Sequence, residues 1–91
     1  MATLIPVNGP SVEVAPKAKT FSLAEMYALL DCDLVEAITL ADGRRMWLDE
    51  EGKFAGKGIN APATVLLHSA GGSMFDYIVG PVLITKKSEV N

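Results

Sequence analysis

The amino-acid sequence predicts one α+β domain: a mainly antiparallel sheet of about five strands in the order ββαββαβ, with two helices packed on one face. Three observations carry this expectation. Ser22 to Asp31 sets Leu23, Met26, Tyr27 and Leu30 at helical spacing, Asp42-Gly43 separates two β-rich runs as hairpin turns do, and short turn clusters join most other apolar segments. A chain of 91 residues builds one hydrophobic core rather than two, and 49% hydrophobic with 21% charged residues is the usage of a folding domain. Residues 1–91 are therefore read as a single domain.

In chain order, Thr3 to Val7 and Val12 to Val14 form a first hairpin around Asn8-Gly9-Pro10-Ser11, residues that pre-set turns or tolerate positive φ. Pro6 and Pro16 cannot donate to a ladder and suit strand ends. The helix from Ser22 opens with a capping box, Ser22 and Glu25 each satisfying an amide that the first turn leaves unpaired. Leu34 to Leu40 and Arg44 to Asp49 form the second hairpin. Glu36 shares its parity with Leu34, Ile38 and Leu40, so either it points toward apolar neighbours or the buried face belongs to Val35, Ala37 and Thr39.

Glu50-Glu51-Gly52-Lys53 and the glycines at 56 and 58 make a turn-rich connection that could rearrange around a ligand. Asn60 caps a second helix from about Ala61 to Ser69, with Pro62 in its first turn, Ala63, Leu66, Leu67 and Ala70 on its buried stripe, and Gly71-Gly72 as its stop. The run from Tyr77 to Thr85 is the last strand. Its near-uniform apolarity implies burial on both sides, Gly80-Pro81 implies a bulge or an edge, and Lys86-Lys87 read as charges guarding that edge.

The composition excludes several function classes. Eight Lys and Arg against eleven Asp and Glu give a net charge of −3, which provides no basic field for general nucleic-acid binding. No apolar run approaches the roughly 20 residues of a membrane-spanning helix, and the N-terminus lacks the basic start and apolar stretch of a secretion signal, so a cytoplasmic protein is expected. Cys32 is the single cysteine and sits between Asp31 and Asp33, which disfavours its thiolate; no disulfide, Cys-rich metal site or reactive thiol is expected.

No catalytic set is legible either. His68 is the lone histidine and lies off the apolar stripe of its helix, with no sequence context for a triad. Asp49-Glu50-Glu51 matches no cation-binding loop, and the glycine pairs match neither a phosphate-binding nor a dinucleotide-binding fingerprint. The chain is therefore read as not an enzyme, with no metal and no cofactor. The candidate ligand-binding residues are Arg44, Arg45, Trp47, Lys53, Lys57, Asn60, Thr64 and His68, because Arg and Lys hold phosphate, Trp stacks on a base and a helix N-terminus offers amides. Arg45 and Trp47 project to one face of their strand, and Arg44, Met46 and Leu48 to the other. The simpler reading of the same residues is that Trp47 is core and the arginines are solvated.

Phe21 to Met26 leading to Leu34-Val35-Glu36, then Asp42-Gly43-Arg44, Asp49 to Lys53, Asn60 to Thr64 and Tyr77 to Gly80 together resemble a family of small domains of unknown function found mostly in bacteriophages, plasmids and related elements. The resemblance runs from about residue 20 to 85 and transfers no activity to any residue. It implies a mobile-element origin and expression in the bacterial host cytoplasm.

Three functions follow as expectations: first, a non-enzymatic binding protein acting on a host component, in a counter-defence or accessory role; second, a sponge for a nucleotide-type signal held by Arg44, Arg45, Trp47, Lys53, Lys57 and Asn60; third, a small enzyme with Glu36 or Asp49 as general base. The expected partners are a host protein or a small nucleotide-like ligand, without a membrane, and a sheet with an apolar edge is compatible with a homo-oligomer.

Overall fold

The computed structural model describes residues 1–70 and 77–90. Five strands and two helices follow one another as β1 (Ala2–Ile5), β2 (Val12–Val14), α1 (Leu23–Leu30), β3 (Val35–Thr39), β4 (Arg45–Asp49), α2 (Ala61–Ser69) and β5 (Val82–Thr85), with a short 3-10 turn at Lys87–Glu89. The strands form one antiparallel sheet in the order β2-β1-β5-β4-β3, as expected for a small α+β fold. The expected stop at Gly71-Gly72 lies outside the described residues.

The two helices lie on opposite faces of the sheet, which corrects the expectation of one shared face. In the β4–β5 register Met46 opposes Ile84, Trp47 opposes Leu83 and Leu48 opposes Val82. Side chains alternate across a strand, so Met46, Leu48, Val82 and Ile84 project one way and Trp47 and Leu83 the other. The first set packs with Ile5 of β1 and with Ala63 and Leu67 of α2. Leu83 packs with Phe21 and with Met26 and Leu30 of α1, and Trp47 joins that cluster. Two core clusters, one on each face, therefore share one sheet, where the chain length led to the expectation of a single core, and every residue of β5 is buried because each face of that strand has its own helix.

β5 is shorter than expected and central rather than peripheral. Gly80 takes φ +77°, which turns the chain between an isolated bridge at Val79, paired with Ile59, and the ladder that starts at Val82. Lys86 and Lys87 consequently guard no edge; they lead into the terminal 3-10 turn. The true edges are β2 and β3. Glu36 opposes Leu48 and so shares the α2 side with Ile38, but on the edge strand it is exposed, while half-buried Val35 serves the α1 side. Both open arrangements of β3 are thus partly realised.

Local chemistry sets the helix starts. Ser22 Oγ accepts from the Glu25 amide at 3.2 Å, half of the expected capping box. The Glu25 carboxylate turns outward instead and accepts from the Lys17 amide at 3.0 Å, tying the preceding loop to the helix. Asn60 caps α2 as expected, its side-chain oxygen accepting from the Ala63 amide at 3.1 Å.

Candidate functional site

The fold divides the eight candidate binding residues between the two faces and ties several of them into the interior. Asn60 is fully buried. Besides capping α2, its amide nitrogen donates to the Ile5 carbonyl at 3.0 Å and to the Gly80 carbonyl at 2.9 Å, so one side chain joins α2 to β1 and to the entry of β5. Thr64 continues the same network: its hydroxyl donates to the Asn60 carbonyl and accepts from the Ile78 amide. The Asn60 bonds satisfy polar groups buried away from water, and the Thr64 bonds extend the network into a partly buried position.

Trp47 and Arg45 lie on the other face. The indole Nε1 of Trp47 donates to the Thr85 hydroxyl at 3.0 Å, and the ring packs with the α1 cluster. Arg44, at the hairpin, is held by Asp42 at 2.6 Å and receives help from the same carboxylate at its backbone amide. Those two bonds hold the Asp42 carboxyl below its ordinary range. Lys53 lies over the Tyr77 ring, 4.2 Å from its centroid, and His68 is exposed on α2.

Lys57 is largely enclosed, its side chain 18% exposed. Its ammonium pairs with the Asp49 carboxylate at 2.9 Å and donates to the carbonyls of Leu30, at 2.9 Å, and Asp31, where α1 ends in a left-handed residue. An ammonium has three N–H donors, and all three are engaged. The Asp49 carboxylate in turn accepts from the Glu51 amide at 2.9 Å. This cation fastens α1, β4 and the 50–58 loop together.

The same loop carries a feature that its sequence did not mark. Phe54 is 92% exposed. Its loop is anchored on both sides: Asp49 and Lys57 clamp the ends, the Ala55 amide donates to the Glu51 carbonyl, and Gly52 sits so close to Val79 that an added Cβ would fall 3.0 Å from its methyl carbon. Beside the ring runs a groove of about 610 Å³ walled by Asp31, Cys32, Asp33, Glu51 and Ala55, with the Asp49–Lys57 pair within it. Burial and then the Asp49 charge push the Cys32 thiol up. A lone aromatic among turn residues is a weak signal in sequence, because only the fold decides whether it turns inward.

Glu36 and Asp49, the carboxylates considered as general bases, have opposite parity on paired strands, yet both line a pocket of about 100 Å³ with Leu48, Lys53 and Tyr77; the Asp49 carboxylate is engaged by Lys57, and Glu36 is exposed. Among the described residues, no group of three or more His, Cys, Asp and Glu side chains could hold a metal ion, and no helix is long and apolar enough to cross a membrane.

The fold and this site define a small α+β protein in which Asn60, Thr64 and Lys57 bond to the chain's own backbone and, among the described residues, the most exposed aromatic, Phe54, sits on a clamped loop. The chain belongs to a family described as a domain of unknown function, DUF3846, whose model matches residues 4–91. No curated protein and no solved structure shows significant similarity to it.

Proposed function

We propose that this protein is a non-enzymatic binding module, encoded by a phage or plasmid, that docks on a protein of the bacterial host cytoplasm through Phe54. One observation carries the reading: the aromatic ring stands in solvent on a loop held at both ends by the Asp49–Lys57 pair. An aromatic presented on a fixed loop loses little side-chain entropy on burial and is the kind of residue that anchors interfaces. Asp31, Asp33 and Glu51 beside it favour a partner that brings Lys or Arg next to an apolar pocket. The order of motifs shared with mobile-element domains supports the origin and the compartment.

The test is capture from host lysate with tagged wild-type protein and with the Phe54→Ser and Asp31→Asn/Asp33→Asn variants. The reading expects one partner retained by the wild type, lost with Phe54→Ser and released by added salt. Equal capture by all three proteins, or none by the wild type across several hosts, overturns it.

A second reading, a nucleotide sponge, is favoured by one observation only. Trp47 lines a groove of about 420 Å³ with Phe21, Ser22, Leu23, Met26 and Val90, and Arg45 lies two residues away on the same face. A nucleotide held there would stack on Trp47 and pair with Arg45, without Lys57 or Asn60. Binding to the native state raises Tm by mass action; no shift at millimolar nucleotide removes this reading.

A further inference from the structure

We infer that β3 is a self-pairing edge, joining two copies of this chain antiparallel about Ala37 into one continuous sheet. The hydrogen-bond phase of the β3–β4 ladder carries the inference. The Leu40 amide donates to the Arg44 carbonyl at 2.8 Å and the Glu50 amide to the Leu34 carbonyl at 3.1 Å, one bond at each end of an unbroken register. Bonded pairs alternate along an antiparallel ladder, so Leu34, Glu36, Ile38 and Leu40 direct their backbone groups toward β4. Val35, Ala37 and Thr39 therefore direct theirs outward. Among the described residues nothing donates to or accepts from those three outward amides and carbonyls.

An extended backbone is the chemistry that satisfies such a row, and the spacing of this strand fits a second copy. Its outward groups fall on the first, middle and last of five residues. A twofold axis through Ala37 then sets Val35 against Thr39 of the second copy, Ala37 against Ala37, and Thr39 against Val35. All outward groups of both copies are paired. The same register sets Glu36 opposite the second copy's Ile38, whereas an axis at Glu36 would put two carboxylates face to face, which is destabilising. At the axis the side chain is only a methyl group. Ala37 and Thr39 are exposed, and Leu34, 47% exposed just before the strand, adds apolar surface that the pairing would cover.

The experiment combines light scattering on a sizing column with residue-resolved amide exchange across a dilution series, on wild type and on Ala37→Pro. Proline removes an outward amide that the single copy does not use, and edge positions with a solvent-facing N–H tolerate it. The wild type is expected at twice its 9.7 kDa mass and Ala37→Pro at 9.7 kDa. In the wild type the Glu36 and Ile38 amides stay protected at every dilution, while those of Val35, Ala37 and Thr39 lose protection by roughly tenfold or more as the copies separate. A 9.7 kDa species at all concentrations, with those three amides exchanging freely, overturns the proposal. That result would also hold if only another protein's strand used this edge. The exchange measurement needs no variant, so a misfolded Ala37→Pro does not block the test, and Phe54 plays no part in it.

Discussion

The Lys57 ammonium lies 2.9 Å from the Asp49 carboxylate, with side-chain exposures of 18% and 7%, and its remaining donors close the C-terminal end of α1. Gly80, at φ +77°, packs against the stem of the same lysine. This pair ties both ends of a loop whose turn-rich sequence reads as able to rearrange around a ligand, and that loop carries Phe54.

Lys57→Met is expected to destabilise the protein by about 3–5 kcal/mol, because it strands an enclosed carboxylate and frees two helix-end carbonyls. Urea denaturation measures this. A loss below about 1 kcal/mol, the size of an exposed pair, would mean that the pair is solvated and the loop unclamped.

Asn60→Ala is expected to cost about 3–5 kcal/mol, since it removes a helix cap and leaves the buried Ile5 and Gly80 carbonyls without donors. Asn60→Asp retains the capping oxygen but turns a second oxygen toward those carbonyls, so it is expected to be no better than alanine. Melting curves rank the two; a stable Asn60→Asp would contradict the assigned bonds.

Trp47→Phe keeps the ring against α1 and loses the bond to Thr85, whose side chain is otherwise buried. The expected cost is about 1–3 kcal/mol, the penalty of an unsatisfied buried group. Thr85→Val alongside it is expected to recover part of the loss, which a double-mutant cycle reads directly.

Acid is expected to loosen the contact between Glu89 and Met1. Burial raises the Glu89 carboxyl, but the Lys86 amide and the Met1 ammonium, 2.9 Å away, outweigh it and leave it below the ordinary 4.5. A carboxyl lowered by folding contributes stability above its unfolded value, lost as the pH falls through the folded value. Stability should therefore fall with pH below about 4.5, and Glu89→Gln should flatten that slope while lowering stability at pH 7.

What was legible in the sequence was local. Ser22, the helical spacing of Met26 and Leu30, the Asp42-Gly43 turn and the Asn60 cap are each read within a few residues, and each element formed where those signals placed it. The near-uniform apolarity of Tyr77 to Thr85 implies burial on both sides, and Val82 to Thr85 is buried throughout; that local sign does not by itself tell which helix covers which face. Lys57, Asn60 and Trp47 stand among the ligand candidates, beside the cap reading of Asn60 and the simpler core reading of Trp47, because the partners that occupy their polar groups are distant in sequence: Leu30 lies 27 residues from Lys57, Ile5 55 from Asn60 and Thr85 38 from Trp47. A polar side chain advertises its bonding capacity in sequence, and only the fold reveals whether that capacity is already used. Phe54 is the converse, an apolar residue that leaves no local sign of facing water.

The most direct test of the account places a photo-reactive phenylalanine analogue at position 54 and, as a control, at exposed Lys19, followed by irradiation in living host cells. The account predicts a discrete protein adduct from position 54 and none from position 19, with the adduct weakened by Asp31→Asn/Asp33→Asn. Equal labelling from both positions, or no adduct from position 54, would contradict it.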